Sequence, residues 1–417
     1  MGLSQSFKLS DKSVNENQVC TIDSVYFDLT KHEINEAVIQ ALKPTLDFLR
    51  TNESLVVEIG LHRDSRGSNK YSTCHTCRRA NSIKNYLIEN GINELRLVAK
   101  GYGESNPITI FETDSISNDT IRIVLTEKYI AQFKKTNPIK FNELHQLNRR
   151  LELKILRTNF VVPSLNTSEV KLLGQINGDF TAFTIDNFDN IYTTSNDVIV
   201  KYNSEFDTLF YSSLKSVLPS SIESSKSFRN LVFDKERGSV IFLDNTLTEI
   251  YSEFDLIDLD IMQPVLVCES FNGNAFWVLD ETGMQLVKLN QNLEVVTRID
   301  NLGYLFENKE TPIQMFEKND ELYIHFPNDG IAIFDSFGTF LKYLPHKSTW
   351  IDVQANFLLV LNANQISILE LPFLDKITRV DFKLTNVKSF RSQKRKFYVH
   401  TNTGLYIYAL IQNTDNK

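Results

Sequence analysis

An acidic and a basic side chain stand fifteen residues apart in this chain, at Asp64 and Arg79. A carboxylate accepts hydrogen bonds from an ammonium group, and an arginine binds a carboxylate through two parallel hydrogen bonds. Together the two groups could hold a ligand that carries one amine and one carboxylate. Taken alone, such a pair is more typical of a surface ion pair or of charges at a helix end, so its meaning depends on the surrounding sequence.

Four short blocks of sequence contain this pair or follow it. They are His62-Arg63-Asp64-Ser65-Arg66-Gly67, Arg79-Ala80-Asn81, Gly101-Tyr102-Gly103-Glu104-Ser105-Asn106-Pro107 and Asn148-Arg149-Arg150. Residues 21–157 thereby resemble the C-terminal domain of OmpA and of the peptidoglycan-associated lipoproteins. In that family G-H-T-D-S-x-G, R-A, G-Y-G-E-S-x-P and N-R-R follow in the same order. Four ordered blocks are far less expected by chance than one short motif.

The resemblance implies a site for the diaminopimelate of a peptidoglycan stem peptide, whose free end carries an amine and a carboxylate. By position, Asp64 and Arg79 match the two central ligand contacts of the family. The same alignment implies further peptidoglycan-binding residues at Arg149, Asn148, Thr30 and Ser72. The four ordered blocks together therefore favour ligand binding over a surface ion pair as the role of Asp64 and Arg79.

Two residues depart from the family pattern. Leu61 stands where the family has glycine before its histidine, and Ser72 stands where it has asparagine. A serine is shorter than an asparagine and lacks the amide donor. We therefore expect a lower affinity for peptidoglycan with the site retained.

The spacing of Cys74 and Cys77 invites a chemical interpretation of its own. At the expected start of the second helix, such thiols could have lowered pKa values and be redox-active. However, Arg78 stands where a haem attachment motif requires histidine, and no second cysteine pair lies at zinc spacing. Incidental thiols are the favoured interpretation, and the sequence predicts neither a metal nor a cofactor.

The first third of the chain alternates strand-like and helix-like runs after an N-terminal tail of residues 1–20. Apolar residues recur at helical spacing in two segments, and β-branched runs separate them. The predicted strands are 25–29, 54–61, 95–99 and 151–156, and the predicted helices are 34–49 and 80–88. We predict an α+β domain over 21–157, in which helices cover one face of a mixed sheet.

A long insertion, residues 108–147, separates the third block from the fourth. Its runs at 121–125 and 129–133 predict a strand and a helical turn. Such an insertion beside the ligand cleft would alter access to it.

From about residue 160 the chain changes to short β-rich runs separated by polar turns. One run recurs six times, with its last residue at positions 202, 243, 289, 334, 369 and 408. These intervals of 35 to 46 residues suit a four-stranded propeller blade. Residues 158–417 thus resemble a six-bladed β-propeller of a loosely NHL-like or WD40-like kind. Residues 169–176 have the composition to supply the outer strand of the last blade, which would close the ring.

The propeller sequence shows no catalytic arrangement. His325, His346 and His400 have no shared place in the repeat, and carboxylates such as Asp186, Asp189 and Asp244 fall mostly in turns. We therefore predict a protein-docking platform without enzymatic activity. The alternative is a propeller hydrolase or lyase tethered to the wall by the first domain. A third possibility is that the first domain has become a purely structural module.

Charge divides the chain as the two predicted domains do. Residues 1–160 carry a net charge of +3, and the rest carries −11, which together give the −8 of the whole chain. Residues 1–12 have neither the apolar core nor the cleavage site of an export signal. No apolar run is long enough to cross a bilayer. The family resemblance nevertheless implies a periplasmic or outer-membrane-associated envelope protein that binds peptidoglycan and another envelope protein, with no nucleic-acid partner.

Overall fold

A computed structural model of the protein describes residues 6–22, 25, 27, 31–64, 69–113, 120–161, 166–215, 217–224, 229–271, 273–305, 310–344, 346–371 and 377–411. The chain divides into two compact units, Met1–Val162 and Pro163–Lys417. Each unit has hydrophobic clusters of its own.

The first unit alternates strands and helices. In chain order they are β1 (Val19–Ile22), α1 (Glu36–Thr51), β2 (Val56–His62), α2 (Asn69–Glu89), β3 (Leu97–Gly103), β4 (Thr109–Thr113), β5 (Thr120–Val124), α3 (Glu127–Ala131), α4 (Phe133–Thr136), α5 (Pro138–Asn148) and β6 (Arg150–Arg157). The main sheet has the order β1-β6-β2-β3. Its β2 and β3 are parallel, whereas β6 runs antiparallel to both β1 and β2.

One face of this sheet packs against α1 and α2. Alternate residues of β2 and β6 point to that face, because successive side chains of a strand point to opposite sides. The buried cluster contains Val57, Ile59, Leu61, Leu151, Leu153 and Ile155 from the sheet, and Val38, Leu42, Leu49, Ala80, Ile83 and Leu87 from the helices. The predicted α+β architecture is confirmed.

Two local predictions differ from the structure. Helix α2 begins at Asn69, eleven residues before the predicted start at 80. Its first half is mostly polar, so hydrophobic periodicity did not reveal it. Of the predicted strand 25–29, only Val25 and Phe27 lie within the described residues, and neither belongs to a strand. The first strand of the sheet is β1, which precedes that segment.

The insertion forms a small subdomain. Strands β4 and β5 pair as an antiparallel hairpin, and α3, α4 and α5 follow it. Leu125, Ile130 and Leu144 form its buried centre. The insertion therefore has a hydrophobic core separate from that of the main sheet.

The described residues of the second unit form six sheets. Each sheet contains four strands that pair antiparallel with their neighbours, and we call the sheets blades 1 to 6. The strands of blades 1 to 3 are Ala182–Ile185, Ile191–Ser195, Val198–Tyr202 and Thr208–Ser213; Ser221–Ser224, Asn230–Asp234, Ser239–Leu243 and Phe254–Asp255; and Pro264–Glu269, Ala275–Asp280, Gln285–Asn290 and Val295–Ile299. Those of blades 4 to 6 are Gln314–Lys318, Glu321–Phe326, Gly330–Asp335 and Phe340–Leu344; Trp350–Gln354, Phe357–Asn362, Gln365–Glu370 and Ile377–Asp381; and Val387–Gln393, Lys396–Thr401 and Gly404–Leu410, with Val170–Asn177 as the fourth strand. From blade 1 to blade 6, the first strand of each blade contacts that of the next blade along the chain, and residues of all six first strands line one cavity.

Both ends of the unit contribute to its closure. Val170–Asn177 pairs antiparallel with Gly404–Leu410, so a strand from the start of the unit completes the blade at its end. Asn166–Ser168 adds a fifth, parallel strand to blade 5. Pairing of this kind covers a strand edge that would otherwise offer unpaired backbone groups.

A recurring turn ends the third strand of four blades. Asn203, Asp244, Asn290 and Asp335 each accept hydrogen bonds from the backbone N–H groups two and four residues later. Short acidic and amide side chains stabilise turns in this way. These turn carboxylates therefore have a structural role and are not merely solvated charges.

Candidate functional site

Asp64 lies at the carboxyl end of β2, where its side chain is almost fully buried. Only 1% of Asp64 is exposed, and its Oδ2 accepts a hydrogen bond of 2.7 Å from Nε of Arg149. Arg149 sits between α5 and β6, and 44% of its side chain remains exposed. The first and fourth blocks, 85 residues apart in sequence, thus meet in one charge-assisted bond.

Arg79 lies on α2 and is held from two sides. Its Nε donates to the carbonyl of Lys31 at 2.8 Å, and its guanidinium lies 5.0 Å from the centre of the Phe27 ring. Burial lowers the pKa of Arg79, and the positive charges of Arg63 and Arg149 lower it further. The charges of three guanidinium groups therefore act on one another here, and one of these groups, that of Arg149, bonds Asp64.

The third block brings β3 against α2. A Cβ atom on Gly101 would lie 2.1 Å from the backbone nitrogen of Cys77, so only glycine permits this approach. The hydroxyl of Thr76 accepts a hydrogen bond of 3.0 Å from the backbone N–H of Gly103. These contacts fix α2, and with it Arg79, relative to the ends of β2 and β3.

Glu104 adds a second carboxylate near the cleft. Burial raises its pKa, the charges of Glu127 and Asp64 raise it further, and Arg63 opposes them. Glu127 belongs to α3, so the insertion contributes charge beside the site. This agrees with an insertion that borders the cleft.

His62 and Tyr102 support the site from the sheet. Their rings stack at 4.5 Å, and Nε2 of His62 lies 3.1 Å from Glu152 Oε2. Burial alone would raise the pKa of Glu152, but His62 and Arg150 lower it to about 2. Tyr102 donates to Glu58 at 2.5 Å. The sequence blocks therefore include residues that orient strands as well as residues that face the cleft.

Asn148 holds the insertion in place. Its Oδ1 accepts from the Ile108 backbone N–H at 2.8 Å, and its Nδ2 donates to the Leu125 carbonyl at 2.8 Å. Asn148 is only 6% exposed. The side chain predicted to bind peptidoglycan thus closes the two ends of the β4–β5 hairpin, which is a positioning role.

The other predicted residues are distributed unevenly. Asp64, Arg79 and Arg149 converge, whereas Thr30 lies outside the described residues. Ser72 lies on α2, but its side chain is outside the described part of the structure. The prediction did not include Arg63, Phe27 or Glu104. Arg63 and Glu104 stand inside the first and third blocks, and that position was the available signal.

The cysteine pair is placed within α2 and not at its start. Cys77 is buried, and its Sγ lies 3.9 Å from the carbonyl of Gly101. The side chain of Cys74 is outside the described part. Cys77 packs between α2 and β3, and α2 begins before both cysteines. The prediction that these thiols lie at the start of the helix is therefore wrong. Within the described residues, no group of His, Cys, Asp and Glu could hold a metal ion.

Several charged residues of the second unit lie on the first strands of blades and not in turns. Glu223, Glu269, Glu317 and Asp352 lie on first strands of blades 2 to 5, and Arg391 lies on that of blade 6. The lack of a shared position was predicted for the histidines and not for these residues. Two of the histidines are structural: His325 bonds Gln314 and Ser348, and His400 bonds Ser389.

Comparison with known proteins finds relatives that are similar to part of this chain. Residues 26–119 match the OmpA family model. The peptidoglycan-associated lipoprotein of Buchnera aphidicola is 31% identical over 86 residues, which are 21% of this chain and 50% of that protein. The Haemophilus influenzae protein of the same name is 27% identical over 103 residues, 25% of this chain and 67% of that protein. The chain thus spans about half to two thirds of the length of these relatives, within its first unit.

The fold of the second unit has relatives among solved structures. Virginiamycin B lyase from Staphylococcus aureus matches with a TM-score of 0.43 and 11% sequence identity, covering 58% of this chain and 100% of that one. Among the described helices, none combines the length and apolarity needed to cross a bilayer.

Proposed function

We propose that the protein is a cell-envelope component that binds peptidoglycan through its first unit. In this proposal Asp64 accepts hydrogen bonds from the ammonium group of diaminopimelate, while Arg79 and Arg149 bind the neighbouring carboxylate. The observation that carries it is the buried carboxylate of Asp64, which bonds Arg149, together with the electrostatic influence of Arg149 on Arg79. Relatives that are named peptidoglycan-associated lipoproteins support the same ligand.

The positioning residues make the proposal specific. Arg79 is held by the Lys31 carbonyl and the Phe27 ring, so its orientation is fixed before a ligand arrives. Preorganised donors lose less conformational entropy on binding than mobile ones. We assign Asn148 to support of the insertion and do not assign it to ligand contact.

The sacculus-binding experiment uses the full chain. Asp64→Asn and Arg79→Lys should each lower co-sedimentation with diaminopimelate-type peptidoglycan by at least tenfold, because truncating a buried charged pair costs ~2 to 5 kcal/mol. Asp47→Asn and Arg50→Lys are matched controls on α1, where the two side chains are 77% and 52% exposed. Both controls should sediment like the parent.

Peptidoglycan with lysine at the third stem position provides a second control. Lysine lacks the free carboxylate, so we expect weak binding that Arg79→Lys does not lower further. Equal sedimentation of the parent with both peptidoglycans would contradict the assignment of Arg79.

For the second unit we propose a docking surface without catalytic activity, which presents a net charge of −11 to another envelope protein. An enzymatic propeller remains the second candidate, because the inner strands bring Glu223, Asp352 and Arg391 to one cavity. Turnover of lactone, ester or glycoside substrates that disappears in Glu223→Gln would favour the enzyme. Absence of turnover in the full chain is the expected result.

A further inference from the structure

The first strands of the blades enclose a cavity of about 350 Å³. All six blades contribute to its wall, with Phe183, Glu223, Val267, Phe316, Trp350 and Arg391 as one residue from each. Most of the lining side chains are apolar. A pocket of this size, lined by apolar side chains with a few convergent polar groups, is typical of small-molecule sites, which begin at roughly 300 Å³.

An ion pair crosses the cavity. Nη2 of Arg391 on blade 6 donates to Oε1 of Glu223 on blade 2 at 2.6 Å, although blade 1 lies between these two blades in the ring. The side chains of Glu223 and Arg391 are 19% and 30% exposed. Because both line the cavity, this exposed surface is available to a ligand.

The bond between Arg391 and Glu223 leaves hydrogen-bonding capacity on both side chains. It uses one of the five guanidinium N–H groups and one of the two carboxylate oxygens. Next to the pair, Asp352 accepts from the backbone N–H and hydroxyl of Ser392 at 2.7 and 2.8 Å, and it also accepts from Lys318. Within these two ion pairs, Arg391 with Glu223 and Lys318 with Asp352, positive and negative charges are equal in number.

The equal numbers of positive and negative charges in these pairs favour one class of ligand. A simple anion would meet Glu223, and a simple cation would meet Arg391, at a site where solvent screens little. A molecule that carries both charges can place its ammonium against Glu223 and its carboxylate against Arg391. The aromatic and aliphatic wall then suits an apolar side chain.

We propose that the central cavity of the propeller binds a small zwitterion of the α-amino-acid class with an apolar side chain. Such a site is independent of the peptidoglycan site on the first unit. It also differs from docking of a protein on the outer surface of the propeller.

The test uses the full chain and L-phenylalanine, with 3-phenylpropionate and 2-phenylethylamine as analogues that each keep one charge. Trp350 lies in the wall, so its fluorescence should change on binding, and calorimetry provides a second measurement. We expect saturable binding of L-phenylalanine and at least tenfold weaker binding of each analogue. No saturable binding, or an analogue that binds as tightly, overturns the proposal.

Two variants locate the site. Ser221→Phe fills the cavity without removing a charge, and Ser252→Phe is the matched control at an exposed position outside the cavity wall. Ser221→Phe should abolish binding and Ser252→Phe should not. The double variant Glu223→Gln, Arg391→Gln removes both charges, keeps a polar side chain at each position and should weaken binding at least tenfold. Parent-like affinity in either Ser221→Phe or the double variant overturns the proposal, and if Ser221→Phe fails to fold, the double variant decides.

Discussion

Both units bury a carboxylate against an arginine, but the surroundings of the two pairs differ. Asp64 bonds Arg149, whose charge acts on Arg79 together with that of Arg63, and Glu104 and Glu127 add carboxylates nearby. Glu223 and Arg391 lie near Asp352 and Lys318, which balance each other. Under the two proposals, the same pair of groups serves a site for a peptidoglycan carboxylate in one unit and a site for a zwitterion in the other.

The pairs also differ in their access to solvent. Asp64 is buried, while the side chain of Arg149 is 44% exposed at the surface of the first unit. Arg391 lies inside the propeller, where its exposed surface faces a cavity. An arginine at the surface can regain water when it loses its partner, but one inside the propeller can do so less easily.

The largest expected effect is a difference in how much stability each unit loses when the carboxylate of its ion pair is removed. Glu223→Ala should destabilise the propeller by about 3 to 5 kcal/mol, because it leaves Arg391 uncompensated. Asp64→Ala should cost the first unit about 1 kcal/mol, because Arg149 can be solvated. Both tryptophans, Trp277 and Trp350, belong to the propeller, so their fluorescence in urea reports that unit alone. Far-UV circular dichroism reports the helices of the first unit.

A double variant controls this result. Replacing both Glu223 and Arg391 with glutamine should cost less than Glu223→Ala, because no unpaired charge remains. Equal losses for Glu223→Ala and Asp64→Ala would mean that the two pairs do not differ in solvation.

The contribution of one buried glutamate to folding stability should change with pH in opposite directions in the two units. Burial, aided by the charge of Glu223, raises the pKa of Glu269 to about 9, whereas Glu152 has a pKa of about 2. The raised pKa means that Glu269 favours the folded state most below pH ~4.5 and loses this contribution as the pH rises through 9. The lowered pKa means that Glu152 favours folding above pH ~4.5 and loses this contribution as the pH falls through 2.

Glutamine replaces the titrating carboxyl in each variant. Glu269→Gln should stabilise the propeller increasingly from pH 5 to 9, by on the order of 3 kcal/mol at the upper end. Glu152→Gln should destabilise the first unit at pH 7 by on the order of 1 to 2 kcal/mol, and much less near pH 2. The urea midpoint of each variant, measured across this pH range, shows whether the substitution stabilises or destabilises its unit. If both substitutions stabilise, or both destabilise, the predicted difference between the units is wrong.

The smallest expected difference concerns the same substitution at two close contacts. A Cβ on Gly101 would meet the Cys77 backbone at 2.1 Å, and one on Gly174 would meet the Phe206 ring at 2.1 Å. A ring can rotate away, but helix backbone cannot. Gly101→Ala should therefore cost about 3 kcal/mol and Gly174→Ala about 1 kcal/mol, as measured by thermal unfolding. A larger loss for Gly174→Ala would show that the closing strand is the more rigid of the two.

Regular patterns in the sequence predicted most of the fold. Ile34 to Leu49 has helical periodicity, and α1 occupies Glu36–Thr51. Residues 198–202 and their five repeats correspond to strands in the six blades. Residues 169–176 had the composition of an outer strand, and the structure contains a strand at Val170–Asn177. Periodicity and composition are local properties, so they can be read without knowledge of distant contacts.

Spatial roles within the blocks depended on the tertiary structure. The sequence identified Asp64, Arg79 and Arg149 as a group but did not show that Arg149 bonds Asp64. It also placed Asn148 with the ligand residues, whereas its amide joins Ile108 to Leu125. A motif records which residues occur together, but the direction of each side chain depends on backbone that lies up to 85 residues away.

The sequence by itself therefore determined an OmpA-like α+β unit, a six-bladed propeller and the residue types at the carboxyl end of β2. Only the tertiary structure decided that Glu223 and Arg391, 168 residues apart, meet inside the propeller. The physical reason is ring closure: inner strands converge on one axis, so side chains that look scattered along the repeat become neighbours. Charge balance in that cavity follows from this convergence and has no signature in any single segment of the chain.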